Sequence, residues 1–255
     1  MKIASWNVNS LKVRLPHVER WCREAQPDVL ALQETKLEDD RFPRAAIEAL
    51  GYRVAYSGQK TYNGVAILSR EPLEDVVAGV PGFDDPHRRV LAATVGGVRI
   101  VDLYVVNGQS VGSEKYEWKL KWLRAVTDYL RDELKRHRKL VVLGDFNIAP
   151  EDRDVHDPEL WRDQVLCSEP ERAALRGMLD LGFVDTFRVF VEDGGHYTWW
   201  DYRQGAFRRG LGLRIDLILA ASSLHPRLKS AAIDRAPRSW ERPSDHVPVS
   251  VELEP

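Results

Sequence analysis

Five short polar clusters stand where apolar runs end: Ser5-Trp6-Asn7-Val8-Asn9, Leu32-Gln33-Glu34-Thr35-Lys36, Gly144-Asp145-Phe146-Asn147, Leu213-Arg214-Ile215-Asp216 and, near the C-terminus, Ser244-Asp245-His246. A carboxylate or amide just past a buried strand sits at the rim of a sheet, held still by the strand and open to a ligand. Any one such Asp is ordinarily a turn former or a helix cap. Four carboxylates on one rim, Glu34, Asp145, Asp216 and Asp245, would repel one another unless a cation neutralised them. Oxygen donors from these carboxylates and from the amides Asn7 and Asn147, with one imidazole and no thiolate pair, favour a hard ion, Mg2+ or Mn2+, over zinc. Carboxylates, amides and a histidine around such an ion are the parts of metal-assisted phosphoryl hydrolysis.

These residues need strands to carry them. Ile3 to Asn9 reads as a strand, followed by a helix from Pro16 to Ala25 with Pro16 in its first turn. Val29 to Gln33 is a second strand that delivers Glu34. A short helix from Pro43 to Leu50 ends at Gly51, and Asn63-Gly64 marks a turn before the strand Val65 to Leu68. Val90 to Val95 and Val98 to Val106 flank Gly96-Gly97 as a hairpin. Trp118, Trp122, Val126, Tyr129 and Leu130 recur at helical spacing within Glu114 to His137, the longest helix. Leu140 to Leu143, Ile215 to Leu219 and Val247 to Val251 are further strands, with a helix from Glu171 to Leu181. Hairpins mixed with βαβ crossovers predict an α/β fold of two packed sheets with helices outside.

A chain of 255 residues with 44% apolar content can bury a large core, and the rim residues come from both ends, so residues 1–255 are expected to form one domain. The net charge of −2 excludes a generally basic polyanion binder; nucleic-acid contact must come from local surfaces. Cys22 and Cys167 make neither a disulfide framework nor a zinc site. The start, Met1-Lys2-Ile3-Ala4, leads into a strand, and no apolar run is long enough to span a membrane; the expectation is a cytoplasmic protein. Other features have ordinary readings. The Trp118 and Trp122 pair is core packing; His17, His87 and His137 are surface residues; the runs Glu38-Asp39-Asp40 and Glu151-Asp152-Arg153-Asp154 are solvated loops.

Taken together, Asn7, Leu-Gln-Glu34-Thr-Lys, Gly-Asp145-Phe-Asn147, Gly-Leu-Arg-Ile-Asp216 and Ser-Asp245-His246 resemble, in order and spacing, the exonuclease III family of DNA-repair nucleases, within the endonuclease/exonuclease/phosphatase superfamily. Further matches are Gly58-Gln59-Lys60, Asn63-Gly64-Val65-Ala66, Val184-Asp185-Thr186-Phe187-Arg188 and Tyr197-Thr198-Trp199-Trp200-Asp201-Tyr202-Arg203, so the resemblance runs from about residue 2 to residue 252. It implies a four-layer α/β sandwich, two mixed sheets flanked by helices. The implied reaction is a magnesium-dependent attack of water on a DNA phosphodiester, cutting 5′ to abasic sites or trimming and unblocking 3′ ends. The implied partner is double-stranded DNA carrying such lesions or ends, and the family default is a monomer.

On that resemblance Glu34 is the first metal ligand, with Asn7 as ligand or support. Asp145 and Asn147, two apart on an extended segment, share a side and hold the attacking water, and both count with His246 among the residues around the metal. Asp145 orients or deprotonates the water. His246 donates to a phosphate oxygen and Asp216 fixes its tautomer, as in other His-dependent hydrolases. Asp245 is assigned to the metal side. Tyr104, at the end of its strand, hydrogen-bonds the scissile phosphate. Trp199, Leu213 and Ile215 line a pocket for a flipped abasic sugar. Trp199, Trp200, Tyr202 and Phe207 interleave with Arg203, Arg208, Arg209 and Arg214 as a DNA-contacting stretch; Lys60, Lys115, Lys121 and Arg238 are further phosphate contacts. Val106 stands where the family often has proline and Leu213 where some relatives have tryptophan. The loop Trp161 to Ser168 is where the choice between an internal abasic site and a 3′ end is expected to be made. Two other classes share the core: a phosphodiesterase for lipid or sugar phosphates, and an inactive nucleic-acid-binding relative.

Overall fold

The computed structural model describes residues 1–254. In chain order the elements are β1 (Lys2–Asn7), α1 (Leu11–Ala25), β2 (Val29–Gln33), α2 (Arg44–Glu48), β3 (Arg53–Ser57), β4 (Val65–Ser69), β5 (Glu74–Ala78), β6 (Val90–Val95), β7 (Val98–Tyr104), α3 (Glu114–Arg136), β8 (Leu140–Asp145), α4 (Glu169–Leu179), β9 (Phe183–Asp185), α5 (Thr186–Phe190), α6 (Ala206–Arg209), β10 (Asp216–Ala221), β11 (Leu228–Ile233) and β12 (Val249–Leu253). The strands form two six-stranded sheets, ordered β11-β12-β1-β2-β4-β3 and β5-β6-β7-β8-β10-β9. Each sheet has one parallel pair at its centre, β1 with β2 and β7 with β8, flanked by antiparallel neighbours. A parallel pair needs a crossover, supplied by α1 in one sheet and α3 in the other.

Side-chain alternation makes four layers from these strands. Val29 and Ala31 of β2 meet Val141 and Leu143 of β8 in the core between the sheets. Leu30 and Leu32 face outward with Trp6 onto Val18 and Trp21 of α1. Leu140 and Val142 face the opposite way, onto Trp122, Val126 and Leu130 of α3 and Leu175 of α4. Central strands apolar on both faces are what such a sandwich requires, and the expected four-layer α/β class is the one observed.

Boundaries depart from the periodicity where tertiary contacts set them. β1 stops at Asn7, because Asn9 and Ser10 take φ of 42° and 88° and turn the chain into α1. That helix starts at Leu11, not Pro16; Ser10 and Leu11 donate their N–H groups to the Glu34 and Thr35 carbonyls, so the end of β2 anchors the helix start. Pro16 lies inside it and leaves one helical hydrogen bond unmade. β12 begins at Val249, since the Val247 N–H is taken by the Thr198 carbonyl. β5, β9 and β11 have no counterpart in the apolar pattern: the first and last are largely exposed edge strands and β9 has three residues. Trp122 is core as expected, but Trp118 is only partly buried and lies at the lip of a cleft.

Two glycines permit close approaches that the site depends on. Gly144, at φ 140°, precedes Asp145 in β8, and a Cβ there would run into the Leu103 carbonyl of β7. Gly64, at φ 92°, lets its turn close on Thr35; a side chain would strike the Thr35 hydroxyl.

Candidate active site

The carboxyl ends of both parallel pairs meet at one rim. Glu34 follows β2 in a left-handed turn, at φ 52°. Asn7, the last residue of β1, donates from Nδ2 to Glu34 Oε1 (3.0 Å) and to Asp145 Oδ2 (2.9 Å), joining the two sheets. Its own Oδ1 accepts the Asn9 N–H at 3.0 Å. The geometry gives Asn7 the place of a bridge between the two carboxylates. Glu34, Asp145 and His246 each bring a ligand atom within 4.8 Å of the others. Two carboxylates without sulfur fit a hard divalent cation, with the imidazole standing beside them.

His246 arrives from the far end of the sequence. Ser244 Oγ donates to the Asn7 carbonyl (2.7 Å) and Trp6 Nε1 to the His246 carbonyl (3.2 Å), tying this loop to β1. Asp216 opens β10, where Thr198 Oγ accepts the N–H groups of both Ile215 and Asp216 at 3.0 Å. The His246 ring meets Asp216 Oδ2 through Nδ1 at 2.8 Å and turns Nε2 toward Asp145, 3.7 Å from its Oδ2. Burial disfavours charge on this ring, yet Asp216 and then Asp145 outweigh it and raise His246 from 6.5 to about 10. Burial also pushes Asp145 up, to about 7; Asp216 and Glu34 add to this while His246 and Asn7 oppose it. An acid held this high beside two like charges is a place where a cation relieves repulsion.

Asn147 does not continue an extended segment as expected: its φ is 49°, and the chain doubles back so that its N–H donates to Asp145 Oδ1 (2.9 Å). The side chains meet all the same, with Asn147 Nδ2 3.3 Å from Asp145 Oδ2 and 2.9 Å from the Val105 carbonyl. Tyr104 ends β7 beside them; burial, then Glu34 and Asp145, hold its hydroxyl well above its ordinary range, and the Arg89 guanidinium lies 4.8 Å over its ring.

Asp245 is not brought to the Glu34 cluster. Its oxygens accept from Trp199 Nε1 (3.0 Å) and Asn9 Nδ2 (2.9 Å), and although burial works against its charge, His246 and these donors keep it below the usual carboxylate range. It thereby holds the Trp199 indole and the Asn9 amide. Leu213 and Ile215 are almost wholly buried, covered by Val155, Leu166 and Cys167, and line no open pocket; only Trp199 of that trio reaches the surface. Arg203 and Arg208 are exposed, Arg203 in a cleft with Trp199 and Trp161. Arg214 is no DNA contact: it is buried on Asp154 (2.6 Å) and Asp185 (2.7 Å), with Arg188 also on Asp154. Asp154 is thereby the buried exception in an acidic run expected to be solvated. Arg238 is also largely buried, packed on Tyr202 and Phe207.

Two residues given no role from sequence complete the rim. Lys36 Nζ pairs with Glu34 Oε2 (2.9 Å), and Asn107 Nδ2 donates to Asn147 Oδ1 (3.2 Å). The lysine two residues after Glu34 and the asparagine three after Tyr104 were the available signals. On one side of the site opens a cleft of about 750 Å³ lined by Tyr104, Asn107, Lys36, Arg89, Lys115 and Trp118; on the other side of Trp199 lies one of about 630 Å³. Cations thus gather at the cleft of a chain whose net charge is slightly negative.

Two packed mixed sheets with a carboxylate and imidazole cluster at the shared rim define the α/β-sandwich class of phosphoesterases. The model of the endonuclease/exonuclease/phosphatase family matches residues 4–246. The chain is 33% identical to exodeoxyribonuclease III of Haemophilus influenzae, over 99% of this chain and 100% of that one. A 3′ phosphatase from Neisseria, solved with a product DNA hairpin, superposes with a TM-score of 0.98 at 50% identity, over 100% and 99% of the two chains. An AP endonuclease from Archaeoglobus fulgidus gives 0.97 at 41% identity, over 100% of both. The chain belongs to the endonuclease/exonuclease/phosphatase family and, within it, to the exonuclease III group of metal-dependent nucleases. No helix among the described residues is long and apolar enough to cross a membrane.

Proposed function

We propose that this protein is a magnesium-dependent DNA-repair phosphodiesterase that removes nucleotides and blocking groups from 3′ ends and cuts 5′ to abasic sites. The observation that carries this reading is the convergence of Glu34, Asp145 and His246, with Asp216 behind the imidazole, between two clefts. Glu34 and Asp145 would hold the cation, with Asn7 fixing both carboxylates. When bound, the ion lowers the cost of charge on the phosphoryl oxygens. Asp145, braced by Asn147, orients the attacking water and takes its proton. His246, kept protonated by Asp216, donates from Nε2 to a phosphate oxygen as negative charge grows, and Tyr104 and Asn107 donate beside it. Arg89, Lys115 and Lys36 screen the flanking phosphates in the cleft.

Between the DNA activities, burial of Leu213 and Ile215 under Leu166 favours the 3′ end as the main substrate. An abasic sugar would have to displace that cover before entering, whereas a frayed 3′ terminus need only reach the rim. The complete carboxylate set disfavours an inactive binder, and clefts on both sides of the site suit a long polyanion better than a lipid or sugar phosphate. The proposal includes a monomer in a reducing cytoplasm, which the two buried free thiols suit.

The test is a gel assay, with magnesium and with chelator, on three end-labelled duplexes: a recessed 3′ end, a 3′-phosphate at a nick, and a central abasic-site analogue. Magnesium-dependent processing of the first two, faster than nicking of the third, is the expected result. Faster nicking of the third would refute the preference; no cleavage of any would refute the DNA reading.

A further inference from the structure

Lys119 lies on the inner face of α3, wholly buried, and its ammonium meets oxygens from three separate segments. It donates to the Asn147 carbonyl (2.7 Å), the Asn107 carbonyl (3.1 Å) and Glu171 Oε1 (2.5 Å), which uses all three of its N–H groups. Glu171, on α4 and equally buried, accepts in turn from the N–H groups of Leu166 (3.0 Å) and Ser168 (3.1 Å) and from the Ser168 hydroxyl (2.5 Å). Tyr116 OH meets the same Ser168 hydroxyl at 2.7 Å. Gly108 lets the neighbouring backbone lie against the lysine stem, where a Cβ would sit 3.2 Å from Lys119 Cδ.

A buried ion pair of this kind adds little net stability over apolar side chains of the same size, so its value lies elsewhere. The segments it gathers are the loop carrying Asn107, the turn carrying Asn147 and the loop whose Leu166 covers Leu213. Asn147 turns the chain through a left-handed φ, which asparagine tolerates, and its carbonyl is held there by the Lys119 ammonium. Its side chain accepts from Asn107 and its N–H holds Asp145. The Lys119 ammonium bonds the backbone at both asparagines from beneath.

We propose that Lys119, with Glu171 as its counter-ion, is a positioning residue for phosphodiester hydrolysis: it fixes the backbones that aim Asn107, Asn147 and Asp145 at the reacting phosphate. The inference rests on the function proposed above. It acts on geometry, so it belongs to turnover and not to DNA affinity; displacing catalytic groups by about 1 Å costs on the order of a hundredfold in rate.

The experiment compares Lys119→Met, Lys119→Met with Glu171→Met, and Lys119→Arg in the full chain. Lys119→Met orphans Glu171 and should lower Tm, which the double variant restores. Both should lose roughly 10- to 100-fold in kcat with KM for a recessed-end duplex within about threefold, while Lys119→Arg, keeping charge and donors, recovers at least about tenfold of the loss. Hydrogen exchange of the substrate-free protein supplies a readout independent of activity: residues 105–110, 145–149 and 164–168 should exchange faster in the double variant while the central strands do not. A double variant with parental kcat, a loss in KM alone, or unchanged loop exchange overturns the proposal. A parent inactive on every duplex would defeat the functional reading instead, and the exchange comparison would still decide whether Lys119 orders these loops.

Discussion

Asp216→Asn separates what the charge on His246 does from what its position does. The carboxylate receives His246 Nδ1 at 2.8 Å and 3.1 Å, and asparagine leaves an oxygen at that place while removing the charge. The rise of His246 from 6.5 to about 10 is achieved against burial and corresponds to roughly 5 kcal/mol in favour of the imidazolium. Asp216 is the largest of the favourable causes, so its loss should bring the ring well down from that value. The parent ring stays protonated until pH approaches about 10, whereas the variant ring loses its proton at lower pH and can no longer donate as a cation. Stability follows the same sign. The contribution of a His with a raised folded value is complete below 6.5 and is lost as pH rises through the folded value; in the variant the contribution is smaller and its loss is complete at a lower pH. With single-turnover kinetics on a recessed-end duplex at saturating magnesium, the cleavage rate should fall about tenfold at pH 6.5 and about 100-fold at pH 9. A loss of equal size at every pH, or a variant within threefold of the parent at pH 9, would refute this account of His246.

Asp145→Asn should reduce kcat by about 1000-fold or more yet stabilise the metal-free protein. Burial, with Asp216 and Glu34, lifts the acid to about 7, so the native state carries a proton that the unfolded chain has released between 3.8 and 7, and stability falls as pH rises across that window. Relief of roughly 1–2 kcal/mol should raise Tm by about 2–4 °C at pH 7.5 by calorimetry, and a lower Tm counts against the reasoning. Arg214→Met leaves Asp154 and Asp185 facing each other without their shared cation. The cost of breaking such a pair, about 3–5 kcal/mol, should lower Tm by about 6–9 °C; a change under 2 °C would mean that Arg188 alone suffices. Chelator should abolish turnover without unfolding the protein, and Glu34→Gln should raise the magnesium concentration for half-maximal rate at least about tenfold; an unchanged requirement would remove Glu34 from the metal site.

The sequence by itself determined which residue types stand at strand ends. It also determined that β2, β4 and β8 are apolar on both faces, which is why two covered sheets and a carboxylate rim could be read before any coordinates. Local periodicity carries that information, because a strand buried on both faces has no polar positions to spare. It carries less about edges, and the exposed residues of β5 and β11 left those strands unseen. Which rim groups meet was decided only by tertiary structure. Asp216 and Asp245 both stand just ahead of apolar strand residues, yet one braces His246 and the other takes the indole of Trp199. Arg214 and Asp154 look like solvent-exposed charges in sequence and pair in the interior from 60 residues apart. Lys119 sits on a helix face whose spacing resembles any amphipathic helix, and its role exists only because α4 places Glu171 against it. The direction of a side chain past a strand end depends on left-handed turns such as those at Glu34 and Asn147, and on segments far apart in the chain closing to hydrogen-bond distance. Neither leaves a periodic trace; both arise when the two sheets pack and the buried polar groups find the partners that burial demands.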